Sequence, residues 1–455
     1  MARDSGSGEG ASIAKALSRA TSLTGARVHF EEEVPFGPTL LVRRWVLGNG
    51  LTVFTCPDPV APVVSFMSWY DVGSRHEVPG KTGLAHLFEH LMFSGTKHHP
   101  AGEFDRRMEE AGAETNAATW VDWTYYYDNV PKAALPLALA LESDRMQHLS
   151  LDPRTVANEK DVVANEREFR VDDDVEGSTN EKLYGTAFAT HPYRFPTIGT
   201  MEDIRGLTLE DCVAFYRQHY APNKATLVFV GDFDEKDLLS AVQASYGTMK
   251  PSRAKALPLA PEPPQKRERR LRFPQPTATD KLAIGYRAPA LAEPDHAVLT
   301  VVNEILFGGR SSRIHQLLVH DLELCSETQG SIAPFHDPGL HEVWLSMRAG
   351  KKAADALARF DAELERLGRE GTSEAELEKA KNRLELGFLQ GMETAQGKAE
   401  PIGFHHLVTG DVRTVFGQLD AYRSVRSEDV KRVVRAILRP SRRTVVHVVP
   451  DGSVS

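Results

Sequence analysis

A chain of 455 residues is too long for one ordinary core and suits two domains of roughly 200 residues each. Hydrophobic residues at 41% and charged residues at 26% match ordinary globular composition, and a net charge of -9 argues against a dedicated nucleic-acid binder. No apolar run reaches the 18 or so residues of a spanning helix, so no membrane span is expected.

Residues 1–37 read as a flexible N-terminal arm, rich in Gly, Ser and Ala as far as about Arg27. They lack the apolar centre of a secretory signal. Ile13 to Leu23 is mildly amphipathic with Lys15 and Arg19, but Asp4 and Glu9 count against a transit peptide, and a cytoplasmic location is expected. Cys56, Cys212 and Cys325 are far apart with no C-x-x-C pair, so they read as small buried hydrophobes.

Leu40 to Val53 predicts two strands about a turn at Gly48-Asn49-Gly50, and Val63 to Tyr70 a third. Helices are expected over Gly83–Ser94 and Glu103–Ala111, then strands within the β-branched and aromatic stretch Glu114–Val130. Leu135–Leu149 and Pro153–Arg170 read as helices, the second opening on a proline suited to a first turn. Thr208–His219 is a further helix and Thr226–Val230 a strand. Residues 253–272 have linker composition, with Pro258, Pro261, Pro263 and Pro264 followed by a basic cluster. They part a first domain, 38–252, from a second, 273–455. Glu210-Asp211, a helix, Pro222 and Thr226-Leu227-Val228 recur 218 residues later as Glu428-Asp429, a helix, Pro440 and Thr444-Val445-Val446. Shared order at constant offset predicts a duplication.

The chemistry is concentrated in His86-Leu87-Phe88-Glu89-His90. On a helix, residues four apart share a face, so His86 and His90 can offer two imidazoles to one ion. Zinc accepts imidazole nitrogen, and a catalytic site leaves one position open. Glu89 lies one step round the helix, where a carboxylate can take a proton from water rather than bind the metal. The apolar flanks Leu84, Leu87, Leu91, Met92 and Phe93 bury this helix, so its polar side chains need partners. A third ligand must come from elsewhere. Glu159, Glu166 and Glu168 are candidates that spacing alone does not separate.

Here the sequence resembles the pitrilysin, insulinase and mitochondrial processing peptidase family, from about Leu40 to Pro450. The resemblance implies an α+β fold: two homologous domains of mixed or antiparallel sheets packed with helices, joined by a linker as half of a clam-shell. The family spacing of about 75 residues after the inverted H-x-x-E-H selects Glu166 as third ligand and matches Glu159 to a supporting glutamate. The implied cofactor is one Zn2+ per chain, held by His86, His90 and Glu166, with Glu89 as catalytic base. Asn116 and Ala117 match the edge strand on which a substrate peptide adds, and Phe93 an apolar pocket residue. His191-Pro192-Tyr193 and Ile198-Gly199-Thr200 are family-like phrases with no chemical role assigned.

The second half resembles the family's metal-free domain. Aligning Glu304 with Glu89 puts Val301 and Ile305 at the histidine positions. The family's arginine and tyrosine that stabilise the substrate carbonyl are replaced after Gly308-Gly309-Arg310 by Val319 and Ser326. The implied function is a zinc metalloendopeptidase acting on peptides or unfolded segments. It would pair as a heterodimer with a related metal-free subunit rather than as a homodimer. The rival is a non-catalytic relative serving as a structural or binding subunit. That reading predicts loss of a ligand or of Glu89, and all four residues are present.

Overall fold

The computed structural model describes residues 6–19, 25–255 and 259–453. The strands follow the patterns their side chains impose. Ala225–Gly231 is a continuous run of buried residues, as a strand covered on both faces must be, whereas Arg269–Gln275 alternates along its length as an edge does. Residue contacts divide the chain into two compact units.

The first unit comprises Met1–Ala164, Thr197–Leu257 and Gly391–Phe416. Its sheet holds β1 (Val28–Phe36), β2 (Leu40–Leu47), β3 (Thr52–Pro57), β4 (Val63–Tyr70), β5 (Glu114–Thr119), β6 (Thr124–Pro131) and β7 (Ala225–Gly231). The order is β1-β2-β3-β7-β4-β6-β5, antiparallel throughout except between β3 and β7. The turn between β2 and β3 falls at Gly48–Gly50, where Gly50 takes a φ of 91° that favours glycine. One face carries the helices α2 (Leu84–Leu91), α3 (Glu103–Glu110) and α4 (Leu135–His148) around a core that includes Leu87, Phe88, Tyr126, Leu139 and Phe229. The helix Ala395–Thr409 lies against β4 and β7, and Gly403 is what lets it approach, since a Cβ there would sit 2.2 Å from the Trp69 indole nitrogen.

The second unit comprises Asn165–Pro196, Pro258–Gln390 and Gly417–Ser455. Its strands are β8 (Arg269–Gln275), β9 (Lys281–Arg287), β10 (Cys325–Ile332), β11 (Leu340–Met347) and β12 (Arg443–Pro450), in the order β10-β11-β9-β12-β8. Only β12 and β8 run parallel. Read from its other end, this order repeats the β3-β7-β4-β6-β5 stretch of the first sheet, with the parallel pair in the same place. The repeated phrases extend the correspondence. Leu209–His219 and Ser427–Ile437 are both helices, each followed by a short 3-10 turn on a proline and then by β7 or β12. The duplication is therefore real at the level of sheet topology.

Two features depart from the sequence reading. The arm expected over 1–37 is ordered where it is described: Gly6–Arg19 forms the helix α1, Leu17 enters the core, and β1 completes the sheet edge. Its charged residues serve this docking, Glu9 reaching the buried Arg43 at 2.7 Å alongside Glu33 and Glu235. Residues 1–5 and 20–24 of that expected arm lie outside the described residues. In addition, the units do not follow a single cut at 253–272. The segment 165–196, with α6 (Val175–Ala187) packed on β8, β9 and β12, groups with the second unit, and 391–416 groups with the first. The last four linker residues already belong to β8.

Cys56, Cys212 and Cys325 are free and buried, as expected of small core residues. Several histidines are buried too. Burial lowers His219 and His341 to about 3, and His296 and His405 to about 4. Each is neutral in the folded chain, while the unfolded chain protonates it near pH 6.5. The unfolded state therefore binds more protons below pH 6.5, and stability is complete above that value and lost as pH falls toward 4. Calorimetry should find a Tm that drops steeply from pH 6.5 to 4. A flat Tm across that window would contradict neutral burial of these rings.

Candidate active site

The site is built on α2, a helix of only eight residues whose start carries no side-chain cap. Its N-cap is Gly83, at a φ of 88°. Glu77 supplies what is missing: its carboxylate accepts from Gly83 N at 2.9 Å and from Ala85 N at 2.7 Å. Burial pushes the Glu77 carboxyl up to about 8, with the backbone N–H groups of Ala85, Gly83 and Leu84 pulling the other way. Sequence reasoning passed over Glu77, and no periodicity links it to the helix it caps.

The same helix start is crossed by Ile198-Gly199-Thr200. A Cβ on Gly83 would meet the Ile198 carbonyl at 2.4 Å, and one on Gly199 would meet Gly83 N at 2.5 Å. Thr200 N donates to Thr82 Oγ1 at 3.0 Å, and Thr82 in turn donates from Oγ1 to Asp203 at 2.5 Å. A phrase without a chemical role thus has a structural one, holding the entry to α2. From below, Tyr126 donates its hydroxyl to the Phe88 carbonyl at 3.1 Å.

On this platform His86 and His90 present rings with centroids 5.0 Å apart. A donor atom from each and one from Glu166 all lie within 4.8 Å of one another. Glu166 is carried near the end of α5 (Pro153–Arg167), one continuous helix. The helical stretch expected to Arg170 instead widens into a π-turn over Glu168–Asp172, and Glu168 is not in the cluster. Arg167 fixes the end of α5 through Glu181 at 2.8 Å and Asp172 at 3.1 Å. Glu159 stands one face-repeat earlier, 3.6 Å from His90 Nδ1, and Arg170 pairs with Glu166 at 3.0 Å. Two imidazole nitrogens and one carboxylate oxygen converging in this way form a donor set that fits zinc.

Glu89 lies beside the two histidines on the same helix, half-buried. Its charge is felt at Tyr125, Tyr126 and Tyr220, whose hydroxyls are held protonated first by burial and then by neighbouring groups including Glu89. Phe93, just beyond α2, is half-buried against Phe104 and Tyr126. Its other support is the fully buried Arg145, whose guanidinium sits 5.0 Å from the Phe93 ring and is neutralised by Glu142. Asn116 and Ala117 fall on β5, the last strand of the sheet, which among the described residues pairs on one side only, with β6. Asn116 is exposed there, and its Oδ1 accepts from Ala117 N at 2.8 Å.

The second unit treats the corresponding positions differently. Val301 and Ile305 are core residues, and Glu304 pairs with Arg383. Val319 lies on the π-helical stretch His315–Asp321 and Ser326 on β10, its hydroxyl donating to the Ser346 carbonyl at 3.3 Å.

Comparisons with known proteins place the whole chain beside one family. Residues 52–201 match the family model described as insulinase (peptidase family M16), and residues 206–384 the model described as peptidase M16 inactive domain. A zinc protease of Helicobacter pylori is 29% identical over 433 residues, covering 94% of this chain and 96% of the relative. The mitochondrial-processing peptidase subunit beta of Lentinula edodes is 28% identical, with 86% of each chain covered. A crystal structure of a protease from Helicobacter pylori superposes with a TM-score of 0.86 at 28% identity, over 93% of this chain and 100% of that one. With successive family models and relatives along nearly its whole length, the chain belongs to the insulinase (M16) peptidase family.

Proposed function

We propose that the chain is a zinc-dependent endopeptidase that hydrolyses peptides or unfolded protein segments. The observation that carries this reading is the convergence of His86, His90 and Glu166, with Glu89 on the same helix beside them. Relatives named as zinc proteases support it.

In this reading His86, His90 and Glu166 hold one zinc ion. Zinc, when bound, supplies Lewis-acid polarisation of a water molecule and of the scissile carbonyl. The Glu89 carboxylate takes a proton from the attacking water and returns it to the leaving amine. Glu159, with a carboxylate oxygen 3.6 Å from His90 Nδ1, supports the orientation of that ring from beside the ligand set. A peptide adds along the free side of β5 beside Asn116 and Ala117, with Phe93 receiving an apolar side chain. Val319 and Ser326 have no cationic or phenolic group to stabilise the substrate carbonyl. A related metal-free subunit in a heterodimer would supply that group.

The paired test measures zinc content and cleavage of a quenched-fluorescent peptide pool in one set of variants. Glu89→Gln should keep its zinc at this site and lose cleavage by at least a hundredfold. His86→Ala should lose that zinc and cleavage together. Wild-type cleavage by Glu89→Gln would remove it as the base, and undiminished zinc in His86→Ala would remove His86 from the ligand set. Strong cleavage by a preparation holding this chain alone, sized as monomer or homodimer, would overturn the need for a partner.

A further inference from the structure

A second cluster of metal-ligating side chains lies in the first unit, apart from the donors described above. His98, Asp144 and His148 bring one donor atom each within 4.8 Å of one another. His98 comes from the loop after α2, and Asp144 and His148 are four apart on one face of α4. Both histidines use Nδ1, and both meet the same carboxylate oxygen: His98 at 2.6 Å from Asp144 Oδ1, His148 at 2.9 Å. The two rings stand edge to face with centroids 4.6 Å apart.

We propose that His98, Asp144 and His148 form a second zinc site, and hence that the chain binds two zinc ions rather than one. The donor set is two imidazole nitrogens and one carboxylate oxygen, which suits zinc and not the all-oxygen cations calcium and magnesium. Tetrahedral zinc with bonds of roughly 2.0–2.1 Å holds its donors about 3.3 Å apart. The two nitrogen-to-carboxylate spacings are shorter than this by less than 1 Å, so modest opening of the side chains makes room.

The loop that brings in His98 is held in place before any metal arrives. Thr96 Oγ1 donates to the other oxygen of Asp144 and accepts from His98 N at 3.1 Å and His99 N at 3.0 Å. Thr96 N donates to the His99 carbonyl at 2.7 Å, and Lys97 N to the His148 carbonyl at 2.9 Å. Gly95 has a φ of 119° and leaves no room for a Cβ, which would meet Ala101 N at 2.7 Å. The ligands are thus positioned at little further entropic cost. The side chain of His98 is 56% exposed, which gives an ion its entry path and leaves solvent as the remaining ligand.

The test counts zinc by plasma mass spectrometry in full-length protein stripped with chelator and dialysed against buffered zinc. Wild type should retain two ions per chain, and His98→Ala/His148→Ala one. His86→Ala should also retain one, and the triple variant none. The double variant should cleave peptides within twofold of wild type, which separates this site from the donors on α2 and α5. Because His98 is exposed, His98→Ala alone keeps the fold, and Asp144→Asn keeps an acceptor for Thr96. Each should also lose one ion. Equal zinc in wild type and in all three of these variants would overturn the proposal, whatever His86→Ala does.

Discussion

Everything at this site depends on the start of α2. Eight residues make just over two turns, too few to hold themselves in water. Three of the eight are polar residues that must point in fixed directions. Their helix begins on a glycine, with no side chain to cap its free N–H groups. Glu77 provides the cap from outside, a contribution of about 1 kcal/mol on the scale of other N-caps. The Gly83–Gly199 crossing removes the remaining freedom, because backbone meets backbone where any Cβ would collide. Tyr126 and the buried Arg145–Glu142 pair close the arrangement from beneath, so Phe93 and the Phe88 carbonyl have one place to be.

The duplication sets a helix that carries two histidines beside one in which both positions are apolar. The same five-strand order occurs in both units. In one, α2 turns His86 and His90 toward Glu166. In the other, Val301 and Ile305 fill the equivalent turn and are buried at 0% and 2% exposure. Apolar side chains need no partners, so that helix packs into its core, and its remaining glutamate pairs with Arg383.

Much of this was legible in the sequence, for identifiable reasons. The His86–His90 spacing works at the level of one helix, and the 218-residue offset at the level of one repeat, so neither needs tertiary knowledge. The choice of Glu166 over Glu159 and Glu168 does need it. Those residues lie on one helical stretch, where Glu166 and Glu168 point to different sides, and only the fold shows which side meets the two histidines. Glu77 was invisible because its partners are backbone groups, which carry no sequence. The arm was misjudged because Gly and Ser suggested flexibility, while Glu9 and Leu17 had partners in Arg43 and the core that only the fold brings near. The segments around α6 and Ala395–Thr409 pack outside their own half of the chain, which composition at a linker cannot reveal.

The central claim is that His86, His90 and Glu166 share one zinc ion. The most direct measurement is an anomalous difference map at the zinc edge, from crystals of the zinc-loaded chain. The account predicts a peak at roughly 2.0–2.2 Å from a nitrogen of each histidine and an oxygen of Glu166. A well-ordered map with full-occupancy zinc elsewhere and no peak among these three side chains would contradict it.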